Sequence, residues 1–369
     1  MKRASPILAA LALALTCALA ASGCSDDSGP GPGGPTPRSY RMGFSSFPPS
    51  PDPALGFAAL QLWTQRADGA IFHIEPPWGA LIDGVPADSA VKVVHLPLAQ
   101  YYRSKGLDIV ITLDPGNGLN RGGENNELVA LGRSLTEPAI QQIFRDYAIA
   151  IDTVLKPSML GMASETNLIR LAAPPALYAA VRQVANDAAA DVRAHDAAVQ
   201  LYVSVQVDVA WNRTGAPMPG PPTYGGVAQD IADFPFAQAF ALSSYPYLAG
   251  FAQPEDVPLD YFQRVANEVA RPVLMDEGGW TSAAVGGIVS SPDKQARWIR
   301  RETTLLDNAG AIGWYQLTFT DIAISTFPPQ PQGSTLALFI SLGLVDTLLT
   351  PKPALSVWDT AFRRPRASQ

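Results

Sequence analysis

The sequence predicts an α/β fold, a single-domain (β/α)8 (TIM) barrel, and three observations support it. Short apolar segments alternate along the chain with segments of helical periodicity, which is typical of parallel sheets. Eight such units account for residues 40–369 of the 369-residue chain. The loop after the first strand reads SFPPSPDP and has no glycines to hold a phosphate, so a barrel is favoured over an open nucleotide-binding sheet.

The eight predicted strands are short runs of apolar and β-branched residues that end at polar residues, glycine or proline. In chain order they cover residues 40–46, 70–74, 108–113, 159–163, 200–207, 239–244, 272–275 and 311–317. The third run, DIVITL, has the clearest strand pattern, and the fourth is the weakest. Their regular recurrence accounts for the whole domain.

The segments between these strands carry apolar residues at helical spacing. The longest covers residues 175–199, where Leu177, Val181 and Val184 begin a stripe with steps of four and three. Further helices are expected over residues 96–105, 140–155, 261–270 and 294–309. Gly106 and Gly310 stand where helix C-caps are expected, because glycine adopts the left-handed conformation readily.

The composition excludes some classes of function. Hydrophobic residues make up 47% of the chain and charged residues only 16%, against about 25% in a typical globular protein, so a large apolar interior is expected. The net charge is −7, and no basic run exceeds the pair Arg363-Arg364, which argues against nucleic acid as a partner. Three histidines and two cysteines offer few ligands, so neither a metal nor another cofactor is expected.

The first residues predict export. Lys2 and Arg3 precede an apolar run over residues 7–20, and small residues then lead to Cys24, which resembles a bacterial lipobox. We expect residues 1–23 to be a lipoprotein signal peptide, Cys24 to carry lipid and residues 24–39 to form a Gly/Pro/Ser tether. The expected location is the bacterial cell envelope, with the outer membrane favoured by Ser25. The alternative is an ordinary secretory signal and a secreted protein.

Acidic and aromatic side chains gather at the predicted strand ends, where barrel enzymes place their active sites. They are Glu75, Trp78, Asp114, Asn117, Glu165, Asn167, Asp208, Trp211, Asn212, Tyr245, Tyr247, Asp276, Glu277, Trp280, Trp314 and Gln316. Indole rings stack on the C–H faces of sugars, and glycoside hydrolysis requires two opposed carboxylates. The pattern therefore indicates a poly- or oligosaccharide as the partner.

Two segments resemble the clan A retaining glycoside hydrolases. LGMASETN at residues 160–167 and PVLMDEGGWTS at residues 272–282 resemble that clan's fourth and seventh strand ends, and SYPY at residues 244–247 resembles endo-β-1,4-galactanase-like enzymes. The resemblance implies that Glu165 is the acid/base and Glu277 the nucleophile. It also implies sugar or nucleophile contacts from further residues, namely Asn167, Trp211, Tyr245, Tyr247, Trp280 and Trp314.

Several details of this site stay open at this level. Asp276 and Glu277 are neighbours, so only one is expected to face the barrel end, and Glu277 is favoured. Ser164 stands where the clan has asparagine, and no arginine ends the second strand. One alternative is therefore a sugar-binding lipoprotein without turnover. Another is a different chemistry using Asp114, Asp208 or His73, which requires Glu165 and Glu277 to face apart.

Two last expectations concern the surroundings of the site. The polar loop GNGLNRGGENNE, residues 116–127, is expected to form one wall of a substrate groove. The protein is expected to be a monomer held at the membrane through its lipid anchor.

Overall fold

The computed structural model describes residues 36–213, 222–329 and 334–367. The predicted signal peptide and residues 24–35 of the predicted tether, including Cys24, lie outside the described residues. Among the described residues, no helix combines the length and the apolar character needed to cross a membrane.

The described residues contain eight parallel strands that close into a barrel, each paired with the next and β8 with β1. The strands are β1 (Arg41–Ser45), β2 (Gly69–Ile74), β3 (Asp108–Leu113), β4 (Met159–Gly161), β5 (Gln200–Gln206), β6 (Ala239–Ser244), β7 (Val273–Gly278) and β8 (Gly313–Gln316). The predicted (β/α)8 barrel is confirmed. We call the end formed by the strand C-termini the mouth and the opposite end the base.

Helices cover the outside of the barrel. They are α1 (Pro53–Trp63), α2 (Trp78–Ile82), α3 (Ala87–Val94), α4 (Leu96–Ser104), α5 (Asn126–Ala130), α6 (Pro138–Leu155), α7 (Thr166–Ala172), α8 (Pro175–His195), α9 (Val207–Ala210), α10 (Ala228–Asp233), α11 (Tyr261–Val269), α12 (Pro292–Ala309) and α13 (Pro353–Phe362). Short 3-10 turns cover Thr64–Arg66, Pro254–Asp256, Ile324–Thr326 and Leu336–Leu338. Gly310 ends α12 in the left-handed conformation, with φ 61°, as expected.

Two apolar cores follow from the alternation of strand side chains. One fills the barrel interior with side chains from β2 to β8, including Ile71, Val110, Tyr202 and Tyr315. The larger core lies between the strands and the helices. Alternate residues of a strand therefore point into the barrel interior, and only these can place their side chains inside the mouth.

An irregularity in β7 changes this alternation at the site. Leu242 of β6 pairs with Met275, but the next pair joins Ser243 to Glu277, so Asp276 is an extra residue in β7. Asp276 accepts a hydrogen bond from Thr112 of β3, across the barrel interior, and Glu277 Oε1 lies 3.0 Å from Ser243 Oγ. Both neighbouring carboxyls therefore face inward, which corrects the expectation that only one does.

The two ends of the described chain are joined at the base. Arg38 is buried and donates to Asp68 at 2.6 Å and to the Phe362 carbonyl at 3.3 Å. The backbone N–H of Arg38 donates to the carbonyl of Pro365. We call this group of contacts the base clasp.

Candidate active site

Glu165 stands between β4 and α7 in an uncommon backbone conformation. Its φ and ψ are 47° and 48°, in the left-handed region that costs a non-glycine residue about 1–3 kcal/mol. The Ser204 hydroxyl of β5 accepts a hydrogen bond from its backbone N–H at 2.9 Å. The fold therefore fixes this carboxyl at the mouth through a contact that the next strand supplies.

A single hydroxyl joins the two glutamates. Ser243 Oγ lies 2.6 Å from Glu165 Oε1 and 3.0 Å from Glu277 Oε1. The two carboxyl oxygens can be no farther apart than these two contacts laid end to end. This upper limit is close to the separation of about 5–5.5 Å between the two catalytic carboxyls of retaining glycosidases. It is below the separation of the two carboxyls in inverting glycosidases.

Arg121 is the cation of the site. It belongs to the polar loop at residues 116–127, and its Nε donates to Glu165 Oε2 at 2.7 Å. Its Nη1 pairs with Asp114, which directly follows β3. All three side chains are buried. The loop thus reaches the carboxyl pair itself, beyond its expected part as a groove wall.

Burial dominates the electrostatics. It raises the pKa of Glu277 well above its usual range, and the negative charges of Glu165 and Asp276 add to the effect. Burial and Glu165 likewise raise the pKa of Asp276. The pKa of His73 falls to about 4 through burial and the Arg121 charge, so His73 is neutral near pH 7, with Nε2 3.9 Å from Glu277 Oε2.

The two candidate tyrosines take different positions. Tyr247 donates its hydroxyl to the Leu338 carbonyl at 2.8 Å, away from the carboxyl pair. Burial raises the pKa of Tyr245 far above its usual range, and the nearby charge of Glu277 contributes. Tyr245 is therefore the tyrosine that faces the glutamates, although Ser243 makes the hydrogen bond to Glu277 in this structure.

Asn167 is occupied by backbone contacts. Its Nδ2 donates to the Gln206 carbonyl at 2.8 Å, and its Oδ1 accepts from the Gln206 N–H at 2.8 Å. The side chain is buried and joins α7 to the end of β5. The amide is thus already satisfied, and the structure does not present it to a sugar hydroxyl.

The predicted tryptophan platforms are packed inside. Trp211 stacks on Tyr261, with the Arg264 guanidinium also over its ring, and it is 3% exposed. Trp280 is buried and packs against Tyr247 and Trp298. Neither ring offers an open face to a sugar in this structure.

Trp314 lies on the other side of the strand wall. Its indole contacts Tyr40 and Trp358, the latter on α13, whereas its neighbour Tyr315 fills the barrel interior. The expectation that Trp314 floors a sugar site is thereby corrected, because strand alternation turns this side chain outward.

The long connection after β8 covers part of the mouth. Phe339 packs on Tyr245, Leu338 accepts from Tyr247, and Thr335 donates to the Leu119 carbonyl of the polar loop at 2.8 Å. Under this cover Glu165 is 5% and Glu277 9% exposed.

The sequence interpretation missed the two residues that contact the glutamates most closely. Ser243 has a detectable signal, since strand alternation from Ala239 and Ala241 puts it on the inner face of β6. Arg121 has none, because it reaches Glu165 from a loop without regular structure.

No family model and no curated protein sequence matches the chain. Solved structures do match. The exo-β-1,4-mannosidase Op5Man5 from Opitutaceae bacterium strain TAV5 is 18% identical with a TM-score of 0.63, over 89% of this chain and 61% of that one. The chain thus spans about three fifths of that enzyme's length.

Two other neighbours match a larger share of their own length. A GH5_18 enzyme from Bifidobacterium longum, solved with Manβ1-4GlcNAc, is 14% identical with a TM-score of 0.58, over 89% of this chain and 80% of that one. Xylanase 10B from Thermotoga maritima is 10% identical with a TM-score of 0.58, over 88% and 95%.

These neighbours are clan A glycoside hydrolases, as the strand-end segments suggested. Identities this low establish a shared barrel fold, and function has to be argued from the site itself.

Proposed function

We propose that the protein is a retaining glycoside hydrolase acting on a β-linked poly- or oligosaccharide. The observation that carries this proposal is the Ser243 hydroxyl, which lies within hydrogen-bond distance of both Glu165 and Glu277 and so keeps these two carboxyl oxygens too close together for an inverting enzyme. The shared fold of the mannosidase and xylanase neighbours supports it.

The proposed reaction is a double displacement. Glu277 attacks the anomeric carbon while Glu165 gives a proton to the leaving glycosidic oxygen, which yields a glycosyl-enzyme. Glu165 then removes a proton from water, and the resulting hydroxide releases the sugar. Because Arg121 occupies Glu165 Oε2 in this structure, the proton to be donated has to reside on Oε1.

The test is reducing-end release by the full chain on β-galactan, β-glucan, β-mannan and β-xylan. We expect release from one polymer and a loss of about a thousandfold or more in Glu277→Gln, equivalent to over about 4 kcal/mol of transition-state stabilisation. Glu302→Gln is the matched control, since Glu302 is a buried glutamate outside the barrel interior. Equal rates in wild type and Glu277→Gln would contradict the proposal.

A sugar-binding protein without turnover is the second candidate. The Arg121 contact with Glu165 favours it, because the guanidinium occupies Glu165 Oε2 and that oxygen cannot carry a proton for a leaving group. It predicts sugar binding that survives Glu277→Gln, with no product from any polymer. The third chemistry, through Asp114, Asp208 or His73, required the glutamates to face apart, whereas they share one hydroxyl.

We further propose that Cys24 carries lipid and that residues 25–39 tether a monomeric barrel to the bacterial cell envelope, with the outer membrane favoured. The lipobox-like residues before Cys24 support this placement. Mass spectrometry of the membrane fraction, with Cys24→Ala as the comparison, tests it.

A further inference from the structure

The contacts of Ser243 indicate that one of the two glutamates, Glu165 or Glu277, is protonated. A serine hydroxyl has one hydrogen to donate, yet Ser243 Oγ lies within hydrogen-bond distance of one carboxyl oxygen on each glutamate. If both glutamates were ionised, one of the two contacts would set an oxygen lone pair against an anion. One carboxyl therefore holds a proton and donates it to Ser243.

The distances and the cation identify which carboxyl that is. Hydrogen bonds from a hydroxyl to an anion are about 2.5–2.7 Å long, and the 2.6 Å contact is the one to Glu165. Arg121 Nε donates to the other oxygen of Glu165 at 2.7 Å, which is the length of a charge-assisted hydrogen bond to a carboxylate. The 3.0 Å contact to Glu277 suits a neutral carboxyl, and burial raises the pKa of Glu277 as this requires.

This resting arrangement is the reverse of what the proposed reaction needs. Bond cleavage requires a proton on Glu165 and an anion on Glu277. The groups that face the pair are His73 on β2, Thr112 on β3, Asp114 and Arg121 after β3, Tyr202 on β5, Asp208 after β5, Tyr245 after β6 and Asp276 on β7. Among the described residues, Ser243 alone lies within hydrogen-bond distance of both glutamates.

We propose that Ser243 is a proton relay between the two glutamates, an inference that rests on the proposed function. The Glu277 O–H bond breaks as its proton binds Ser243 Oγ, and the Ser243 O–H bond breaks as its proton binds Glu165 Oε1. The hydroxyl is restored, and the negative charge moves from Glu165 to Glu277. Positive charge developing on the sugar's anomeric carbon beside Glu277 favours this transfer.

The first measurement locates the proton without any substrate. Infrared spectra of the full chain near neutral pH are compared with those of Glu277→Gln and Glu165→Gln. We expect the Glu277 variant alone to lose a protonated-carboxyl band, and Ser243→Ala to shift that band. A protonated carboxyl on Glu302, whose pKa depends on neither glutamate, is common to all samples and cancels in the differences. A band lost in Glu165→Gln and kept in Glu277→Gln would overturn the proposal.

The second measurement tests the transfer during turnover. We expect Ser243→Ala to lower kcat about a hundredfold or more with little change in KM, and Ser243→Thr, which keeps the hydroxyl, to restore kcat to within about tenfold. Ser244→Ala is the matched control, because Ser244 is the next buried serine of β6 and donates to Asp208. We do not expect Ser244→Ala to show the selective loss of kcat, with little change in KM, that is expected of Ser243→Ala.

The two measurements separate the possible failures. A Ser243→Ala variant that keeps kcat within about threefold of wild type overturns the relay and leaves the glycosidase proposal standing. A wild-type protein that cleaves none of the polymers would contradict both the glycosidase proposal and a role for the Ser243 relay in catalysis. The infrared comparison then still shows whether Glu277 holds the proton in the resting protein.

Discussion

At the scale of single residues, the site combines one cation with several carboxyls in a nearly closed space. Arg121 offsets the charges of Asp114 and Glu165, and these partners in turn offset the cost of removing its own charge from water. A buried charge that loses its partner is far more costly than an exposed one. Arg121 therefore contributes to the stability of the fold as well as to the hydrogen bonding of Glu165.

Replacing Arg121 by glutamine is expected to reduce the free energy of unfolding by about 3–5 kcal/mol, because it leaves two buried carboxyls without their cation. Urea unfolding measures this loss. Arg133→Gln is the control, since Arg133 forms a half-exposed pair with Glu137, four residues further along the chain, and little change is expected there. Equal unfolding midpoints for the two variants would contradict the buried-pair argument.

The residue scale also shows what the sequence could reveal. The strand-end positions of Glu165 and Glu277 could be predicted because the segments around them resemble the fourth and seventh strand ends of clan A enzymes. The prediction for Trp314 was wrong, because the sequence alone does not show on which face of a strand an aromatic side chain lies. Arg121 could not be predicted, because its contact with Glu165 depends on the path of an irregular loop.

At the scale of elements, the packing of α12 on β8 contains a buried carboxyl. Glu302 of α12 accepts from the Gln316 amide at 2.7 Å and lies beside the indoles of Trp298 and Trp314. Burial raises the pKa of Glu302 to about 8, more than its hydrogen bonds lower it. The neutral acid is therefore the form that this interface accommodates.

The stability of the protein is expected to fall as pH rises between about 4.5 and about 8 on account of Glu302. The folded chain holds the Glu302 proton over this range and the unfolded chain releases it, so the slope is up to about 1.4 kcal/mol per pH unit. Asp208, Asp276 and Glu277 act in the same direction. The difference between wild type and Glu302→Gln, measured by thermal melts across pH, isolates Glu302.

If stability changed with pH by the same slope in wild type and Glu302→Gln, Glu302 would be ionised in the folded protein.

The bulge in β7 also belongs to the scale of elements, and no pattern in the sequence predicted it. The predicted strand ended at residue 275, whereas β7 continues to Gly278 through the extra residue Asp276. Pairing with β6 decides this register, and pairing is a property of two strands together.

At the scale of the whole molecule, closure of the barrel makes the first and last strands depend on each other. β1 pairs with β8, and the base clasp adds Arg38, Asp68 and Phe362 to that closure. The fold class was predictable because eight alternating units leave few other arrangements. The clasp was not, since it joins residues more than 300 positions apart.

Arg38→Ala is expected to lower the free energy of unfolding by about 2 kcal/mol while the unfolding transition stays single, because the clasp belongs to the one barrel. Tryptophan fluorescence and far-UV circular dichroism, followed together in urea, measure both features. Arg363→Ala, at an exposed position of the same terminal segment, should change little. Two separated transitions in Arg38→Ala would contradict a cooperative closure.

The base clasp also fixes the geometry of attachment. Residues 36–38 and 362–366 meet at the base, and strands such as β1 and β5, at about 3.3 Å per residue, run roughly 17–23 Å from that end toward the mouth. A bead, sensor chip or fusion partner coupled ahead of residue 36 or after residue 367 would therefore join the protein at the end remote from Glu165 and Glu277. Long polymer chains would reach the mouth of the immobilised protein as freely as that of the protein in solution.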